Sequence, residues 1–174
     1  MNIKEAQKIS IIGCSGSGKS TLAIKLGKFL NLPVHHIDCY FLKPNGVWQD
    51  KEVLRRQIKT ISTGDKWILD GNFRNTLEDR FKQSDLIIFL NFPINFCIQS
   101  VKNRRAQGQK IGLPDHFIES DEAFEILLSF IDRYPEHKEN YYLPLVRQYS
   151  NKVIEFNDRQ QVDEFVKKVK PPNK

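Results

Sequence analysis

Residues Gly13-Cys14-Ser15-Gly16-Ser17-Gly18-Lys19-Ser20 read G-x-x-x-x-G-K-S. Glycines at these positions let the backbone turn its N–H groups inward around an anion. A helix beginning at the end of the run adds partial positive charge. In such a loop Lys19 reaches the β- and γ-phosphates of a nucleotide, and the Ser20 hydroxyl completes a Mg²⁺ shell. Cys14, Ser15, Ser17 and Thr21 complete the candidate nucleotide-binding stretch. The competing reading is a flexible Gly/Ser turn. The context opposes it: apolar Ile9, Ile11 and Ile12 precede the run as a buried strand, and Leu22, Ala23, Leu26 and Phe29 follow at helical spacing.

A second chemical cluster is Trp67-Ile68-Leu69-Asp70-Gly71-Asn72-Phe73-Arg74. An aspartate at the carboxyl end of an apolar strand, beside a phosphate loop, can hold the hydration shell of Mg²⁺. Arg74 then offers a forked cation to a second anion. On composition alone, Asp70 as a turn former and Arg74 as a surface charge explain the run equally well. Asp38, after a second short strand, is a candidate to orient the hydroxyl of an acceptor; capping the next segment is its alternative role. His35 and His36 alternate across that strand, so one packs and the other lines the cleft. Tyr40, Phe41 and Trp48 either cover an acceptor or pack in the core. Cys14, among amide dipoles and beside Lys19, is expected to have thiolate character, so that its oxidation or alkylation blocks nucleotide binding; a small filler residue is the alternative.

The elements that must position these residues alternate between strand and helix, which implies an α/β domain with a parallel sheet. Strands are expected at Val34-His35-His36-Ile37, Trp67-Ile68-Leu69, Leu86-Ile87-Ile88-Phe89-Leu90 and Lys152-Val153-Ile154-Glu155-Phe156. Asp50 caps a helix to about Ser62, and Pro93 opens another that ends at Arg104 and Arg105. A helix from Asp121 carries Phe124, Leu127, Leu128 and Ile131 on one face. Pro135 interrupts it, a further helix runs to about Tyr149, and one bearing Val162, Phe165, Val166 and Val169 closes the fold. Residues 1–174 read as a single domain, with an acceptor-binding insert at about 39–66 and a flap at about 106–120.

The chain of 174 residues has a formal net charge of +6. Its basic residues are dispersed, which favours a phosphate pocket over a nucleic-acid footprint. No apolar run approaches the roughly 20 residues of a membrane span, and the start lacks a signal-peptide pattern. Cys14, Cys39 and Cys97 form neither a disulfide framework nor a zinc pattern, which suits a reducing cytoplasm. Nothing in the sequence sets the oligomeric state.

The phosphate loop, the strand ending Asp70-Gly71 with Arg74 beyond it, and Phe92-Pro93 with Arg104-Arg105 downstream resemble the adenylate kinase and nucleoside monophosphate kinase group. His36-Ile37-Asp38, Lys43-Pro44, Trp67 to Asn72 and Ile87 to Leu90 resemble more closely the bacterial topology modulation proteins of that group. The resemblance spans most of residues 8–168, with its specific motifs before residue 106. It implies a P-loop NTPase three-layer fold: a five-stranded parallel sheet of order 2-3-1-4-5 with helices on both faces. It also implies ATP and Mg²⁺ as cofactors, Lys19 and Asp70 at the reacting centre, and Arg74 and Arg104 gripping phosphates of acceptor and donor. Two positions depart from the group's pattern. Ser100 stands where an arginine commonly meets the adenine, leaving the base to backbone and to Asn157-Asp158-Arg159. Leu113-Pro114-Asp115 stands where the flap usually reads Arg-Pro-Asp; Arg133, or less favourably Arg147, would substitute.

The function expected is transfer of the γ-phosphate of ATP to a small acceptor, a nucleoside monophosphate or a hydroxylated metabolite. A nucleotide-hydrolysing or nucleotide-sensing protein that binds DNA is the alternative. A scaffold that binds nucleotide without turnover is a third reading, suggested by Ser100 and Leu113.

Overall fold

In the computed structural model, which describes residues 3–41, 49–109, 111–114 and 117–171, Leu86–Leu90 is buried along its whole length. Such a run cannot alternate between core and water, so helices must cover both faces of its sheet. Five strands pair in parallel: β1 (Lys8–Gly13), β2 (Val34–His36), β3 (Trp67–Asp70), β4 (Leu86–Leu90) and β5 (Val153–Phe156). Their order is β2-β3-β1-β4-β5, as the resemblance implies. Register matters for function. His36 lies opposite Asp70, Asp70 opposite Ile11, and Gly13 opposite Leu90. The carboxyl ends of three adjacent strands thus carry His36, Asp70 and the first residue of the glycine loop.

Nine α-helices surround the sheet among the described residues: α1 (Lys19–Leu30), α2 (Ile37–Phe41), α3 (Lys51–Ser62), α4 (Leu77–Gln83), α5 (Ile94–Ala106), α6 (Asp121–Asp132), α7 (Tyr134–His137), α8 (Leu143–Gln148) and α9 (Arg159–Val169). Side chains cap three of them. Asp50 accepts from the backbone N–H groups of Glu52 and Val53 at 2.9 and 3.1 Å, Ser120 from Ala123, and Asp158 from Gln161. α1 begins instead at Gly18, in a left-handed conformation with no side-chain cap. Its first N–H groups are therefore left for another acceptor.

Two local features differ from the sequence reading. The second strand ends at His36, and Ile37 and Asp38 open a short helix. Ile37 is buried against Leu54, Ile58, Trp67 and Leu69, and this packing pulls the chain out of the sheet. α4 has no counterpart in the sequence reading, because its Leu77 and Phe81 give only one helical interval. As expected, the helix from Asp121 is interrupted at this proline: α6 ends at Asp132, and Pro135 lies in the first turn of α7. The helical path continues through a π-helix at Lys138–Tyr142 into α8. Pro144 has no N–H to offer the Asn140 carbonyl, which accounts for the wider turn before it.

Candidate functional site

The loop between β1 and α1 is shaped by its own backbone. The Ser17 N–H donates to the Cys14 carbonyl at 3.1 Å, and Lys19 Nζ donates to the same oxygen at 3.0 Å. Gly16 has φ +87°, and a β-carbon there would lie 2.3 Å from the Cys97 carbonyl oxygen of α5. Only glycine combines that conformation with that approach. Asn72 locks the loop from the other side. Its Oδ1 accepts from the Gly13 N–H at 3.1 Å, and its Nδ2 donates to the Gly13 carbonyl at 2.6 Å. The Ser17 hydroxyl is buried without a partner. A buried hydroxyl costs free energy unless something bonds to it, and a bound anion would supply the acceptor.

Asp70 is the centre of the site. It is 3 % exposed, its Oδ2 accepts from Ser20 Oγ at 2.7 Å, and its Oδ1 lies 2.5 Å from His36 Nδ1. Burial opposes charge on His36, but the Asp70 hydrogen bond and the carboxylates of Asp70 and Asp38 outweigh it and raise its pKa. His35 faces the other way and bonds Tyr40 at 2.8 Å, as strand alternation requires; burial, then the charge of His36, lowers its pKa.

Asp38 lies in the first turn of α2 and is exposed to solvent. Desolvation raises its pKa; Asp70 adds to the rise, while Lys19, Arg104 and His36 oppose it. Lys19, Ser20, Asp70, His36, Asp38 and Arg104 therefore share one electrostatic neighbourhood. Arg159 joins it from α9: its Nη1 lies 3.0 Å from where a Gly18 β-carbon would be. The flap also reaches the site. At Gly112, φ is +74°, and an added β-carbon would fall 2.3 Å from Ser20 Oγ and 3.4 Å from His36 Nδ1. Cys39 Sγ donates to its carbonyl at 3.5 Å, and Glu119 pairs with Arg104 at 3.8 Å.

Other expected residues lie elsewhere. The Arg74 guanidinium stacks on Tyr141, 4.2 Å from the ring centroid, and the Tyr141 hydroxyl donates to the Arg74 carbonyl. Arg133 folds back on its own helix, donating to the Ser129 carbonyl at 3.1 Å and lying over Phe130. Asn157 uses its backbone N–H on Gln161 at 2.8 Å. Trp48, the Lys43-Pro44 loop and Asp115 fall outside the described residues. The expectation of a thiolate at Cys14 is corrected. Its thiol lies in the interior, 1 % exposed; the hydrogen bond to Cys97 and burial raise its pKa, outweighing Lys19.

Sequence reasoning missed three residues. Asn72 stood in the quoted run, but nothing distinguished it from a turn residue. Gly112 was one flap glycine among others. Arg80 gave no signal among 27 lysines and arginines. It is fully buried under the exit of β3, with Nη2 donating to the Gly71 carbonyl at 2.9 Å and with Nε and Nη1 unpartnered. Desolvation lowers its pKa to about 10, and the charge of Asp70 opposes that fall.

The donor set fits a nucleotide with magnesium: inward amides, a lysine, a serine hydroxyl and a buried carboxylate. Among the described residues, no three His, Cys, Asp or Glu side chains form a metal cluster. A cation at Ser20 and Asp70 would thus be completed by phosphate oxygens and water.

The fold and this site define an α/β phosphate-loop architecture. The chain is similar in structure to shikimate kinase from Bacteroides thetaiotaomicron, with a TM-score of 0.57, 18 % identity and 94 % and 96 % of the two chains covered. It is similar to a gluconokinase from Sinorhizobium meliloti, with a TM-score of 0.57, 14 % identity and 94 % and 89 % covered. Shikimate kinase from Acinetobacter baumannii, solved in complex with shikimate, gives 0.54, 16 %, and 96 % and 92 %. At these identities the likeness establishes the fold. No family model matches the chain, and no curated protein matches its sequence.

Proposed function

We propose that this chain is an ATP-dependent phosphotransferase of the adenylate kinase-like group, acting on a small hydroxylated acceptor. The observation that carries the reading is Asp70, buried at a strand end and bonded to the serine that follows the loop lysine. Magnesium, when bound with ATP, would neutralise charge between the β- and γ-phosphates. Ser20 and Asp70 would hold it. The loop amides and Lys19 cradle the phosphates, while Arg104 and Arg159 add positive charge around them. Asp38 accepts a hydrogen bond from the acceptor hydroxyl and draws off its proton as transfer proceeds; its raised pKa suits that task. No covalent intermediate is required, since positioning and charge neutralisation suffice for in-line transfer.

Two observations favour a hydroxyl over a nucleoside monophosphate. A carboxylate, Asp38, stands at the cleft, and Arg74, the cation expected to grip an acceptor phosphate, is engaged with Tyr141. The proteins of similar fold named above are a shikimate kinase and a gluconokinase, which agrees with a small polyol or hydroxy acid as acceptor. Arg133 enters this scheme only by releasing Ser129. We further propose one domain over residues 1–174, with the acceptor segment at 39–66 and the flap at 106–120, working in a reducing cytoplasm. No described helix is long and apolar enough to cross a membrane.

The test is ADP release from Mg·ATP by the purified chain against a panel of sugars, hydroxy acids, nucleosides and nucleoside monophosphates. Release stimulated strongly by one hydroxylated acceptor supports the reading. Stimulation by duplex DNA alone would instead favour a topology modulation protein, and a monophosphate acceptor would correct the acceptor class.

A further inference from the structure

Gly71 stands between Asp70 and Asn72, the residue that clamps the phosphate loop, and has no side chain to set its own conformation. At φ +130° it occupies a region open to glycine, and a β-carbon there would lie 2.9 Å from Ile37 Cβ. The two peptide planes beside it are therefore held by their hydrogen bonds. On one side the Gly71 N–H donates to the Ile11 carbonyl at 3.1 Å, continuing the pairing of β3 with β1. On the other, the Gly71 carbonyl accepts from Arg80 Nη2 at 2.9 Å. That second plane leads into Asn72 and so aims its side chain. The Asn72 amide then bonds both the N–H and the carbonyl of Gly13, at 3.1 and 2.6 Å. A chain of contacts thus runs from the buried face of α4 to the first residue of the loop.

Arg80 is itself firmly mounted. Its backbone carbonyl accepts from the Ser84 hydroxyl at 2.8 Å, and that hydroxyl shares a 2.9 Å hydrogen bond with Ser10 of β1. On either side of it in α4, Leu77 and Phe81 are buried in the core. Arg80 is 0 % exposed, and its Nε and Nη1 have no partner among the described residues. A buried cation with empty donors costs free energy, and an apolar side chain of similar volume would fill this space without that cost. Packing alone therefore does not account for an arginine here. Its bond to Gly71 does.

We propose that Arg80 is a positioning residue of the phosphate loop, acting through the Gly71 carbonyl and the Asn72 amide to hold Gly13. It touches neither phosphate nor metal. Without it the Gly71–Asn72 peptide loses the bond that fixes its plane, and the paired bonds to Gly13 open. The amides that begin the loop then lose their shared direction. The charge of Asp70 favours the cationic form of Arg80 against desolvation, so the bond to Gly71 is of the stronger, charge-assisted kind. The consequence for nucleotide binding rests on the site proposed above; the link from Arg80 to Gly13 does not.

A double-mutant cycle provides the test. Mg·ATP affinity is measured by calorimetry for the native chain, Arg80→Met, Asn72→Ala and the two together. Hydrogen exchange is followed in the same proteins at the Gly13 amide, with the Ile88 amide of β4 as control. Arg80→Met should lower affinity by about tenfold in the native background and by about twofold or less once Asn72 is replaced. Gly13 exchange should quicken in Arg80→Met as in Asn72→Ala, and no further in the double variant, while Ile88 keeps its protection. Arg80→Lys, which retains a charged donor, should bind more tightly than Arg80→Met. Should methionine prevent folding, Arg80→Gln, too short to reach the Gly71 carbonyl from the same backbone, replaces it in the cycle. Equal losses of affinity in the two backgrounds, unchanged Gly13 exchange, or a lysine variant as weak as the methionine one would overturn the proposal. A native chain that takes up no nucleotide would overturn the site assignment, and the Gly13 exchange rates would still decide the link from Arg80.

Discussion

Asp70 takes a hydrogen bond from Ser20 on one oxygen and meets His36 on the other. Substituting Lys19→Ala removes the loop's charged donor and should weaken Mg·ATP binding by about 1.5–3 kcal/mol, the usual worth of a hydrogen bond to a charged group. Calorimetry reads that loss directly; an unchanged affinity would remove Lys19 from the site. His36 gives a pH test. Its pKa is raised in the folded chain, so its contribution to stability is fully present below the ordinary value of 6.5 and is lost as pH rises through the raised value. The melting-temperature gap between the native chain and His36→Gln should therefore be widest in mild acid and narrow on the alkaline side. A gap constant with pH would mean that the imidazole is not charged against Asp70. Asp38 carries the opposite sign. Desolvation by the surrounding protein, with Asp70 adding to it, raises its pKa, so its ionised form is disfavoured in the fold. Asp38→Asn should melt higher than the native chain at neutral pH, lose that advantage as pH falls toward 3.8, and lose transfer activity. A lower melting temperature at neutral pH would contradict the desolvated site described for this carboxylate.

At the scale of elements, the loop holds its shape through its own hydrogen bonds together with contacts to α5 and to Asn72 beyond the end of β3. Gly16→Ala places a methyl group against the Cys97 carbonyl at a left-handed φ. Overpacking of this kind costs about 1–3 kcal/mol, and both melting temperature and nucleotide affinity should fall together. Affinity unaffected by Gly16→Ala would show that the loop can lift off α5 without consequence. The same contacts show what was legible in the sequence. The glycine loop, the strand ending in Asp70, the cap at Asp50 and the buried β4 each carry a local signature of type and spacing. Asn72, Arg80 and Gly112 do not. Their roles depend on partners elsewhere in the chain: Asn72 meets Gly13, and Gly112 meets Ser20. The turn of Ile37 into a helix was hidden for a related reason, since its burial is decided by Leu54, Ile58, Trp67 and Leu69. Arg74 and Arg133 show the converse. A cation's position in sequence did not reveal that Tyr141 and Ser129 would hold them.

For the molecule as a whole, the net charge of +6 is spread along the chain rather than gathered in one basic run. Duplex DNA binding with a steep dependence on salt is therefore not expected, and a filter or anisotropy titration across salt concentrations checks this. The sheet order places β1 and β3 side by side, so that the glycine loop and Asp70 meet at the carboxyl ends of adjacent strands. The most direct measurement is calorimetric titration of ATP into the reduced chain with magnesium and with chelator, for the native sequence and Asp70→Asn. Saturable uptake that magnesium strengthens in the native chain, and that loses its magnesium dependence in Asp70→Asn, is the predicted result. No uptake of Mg·ATP, or a magnesium effect identical in both proteins, would contradict the site.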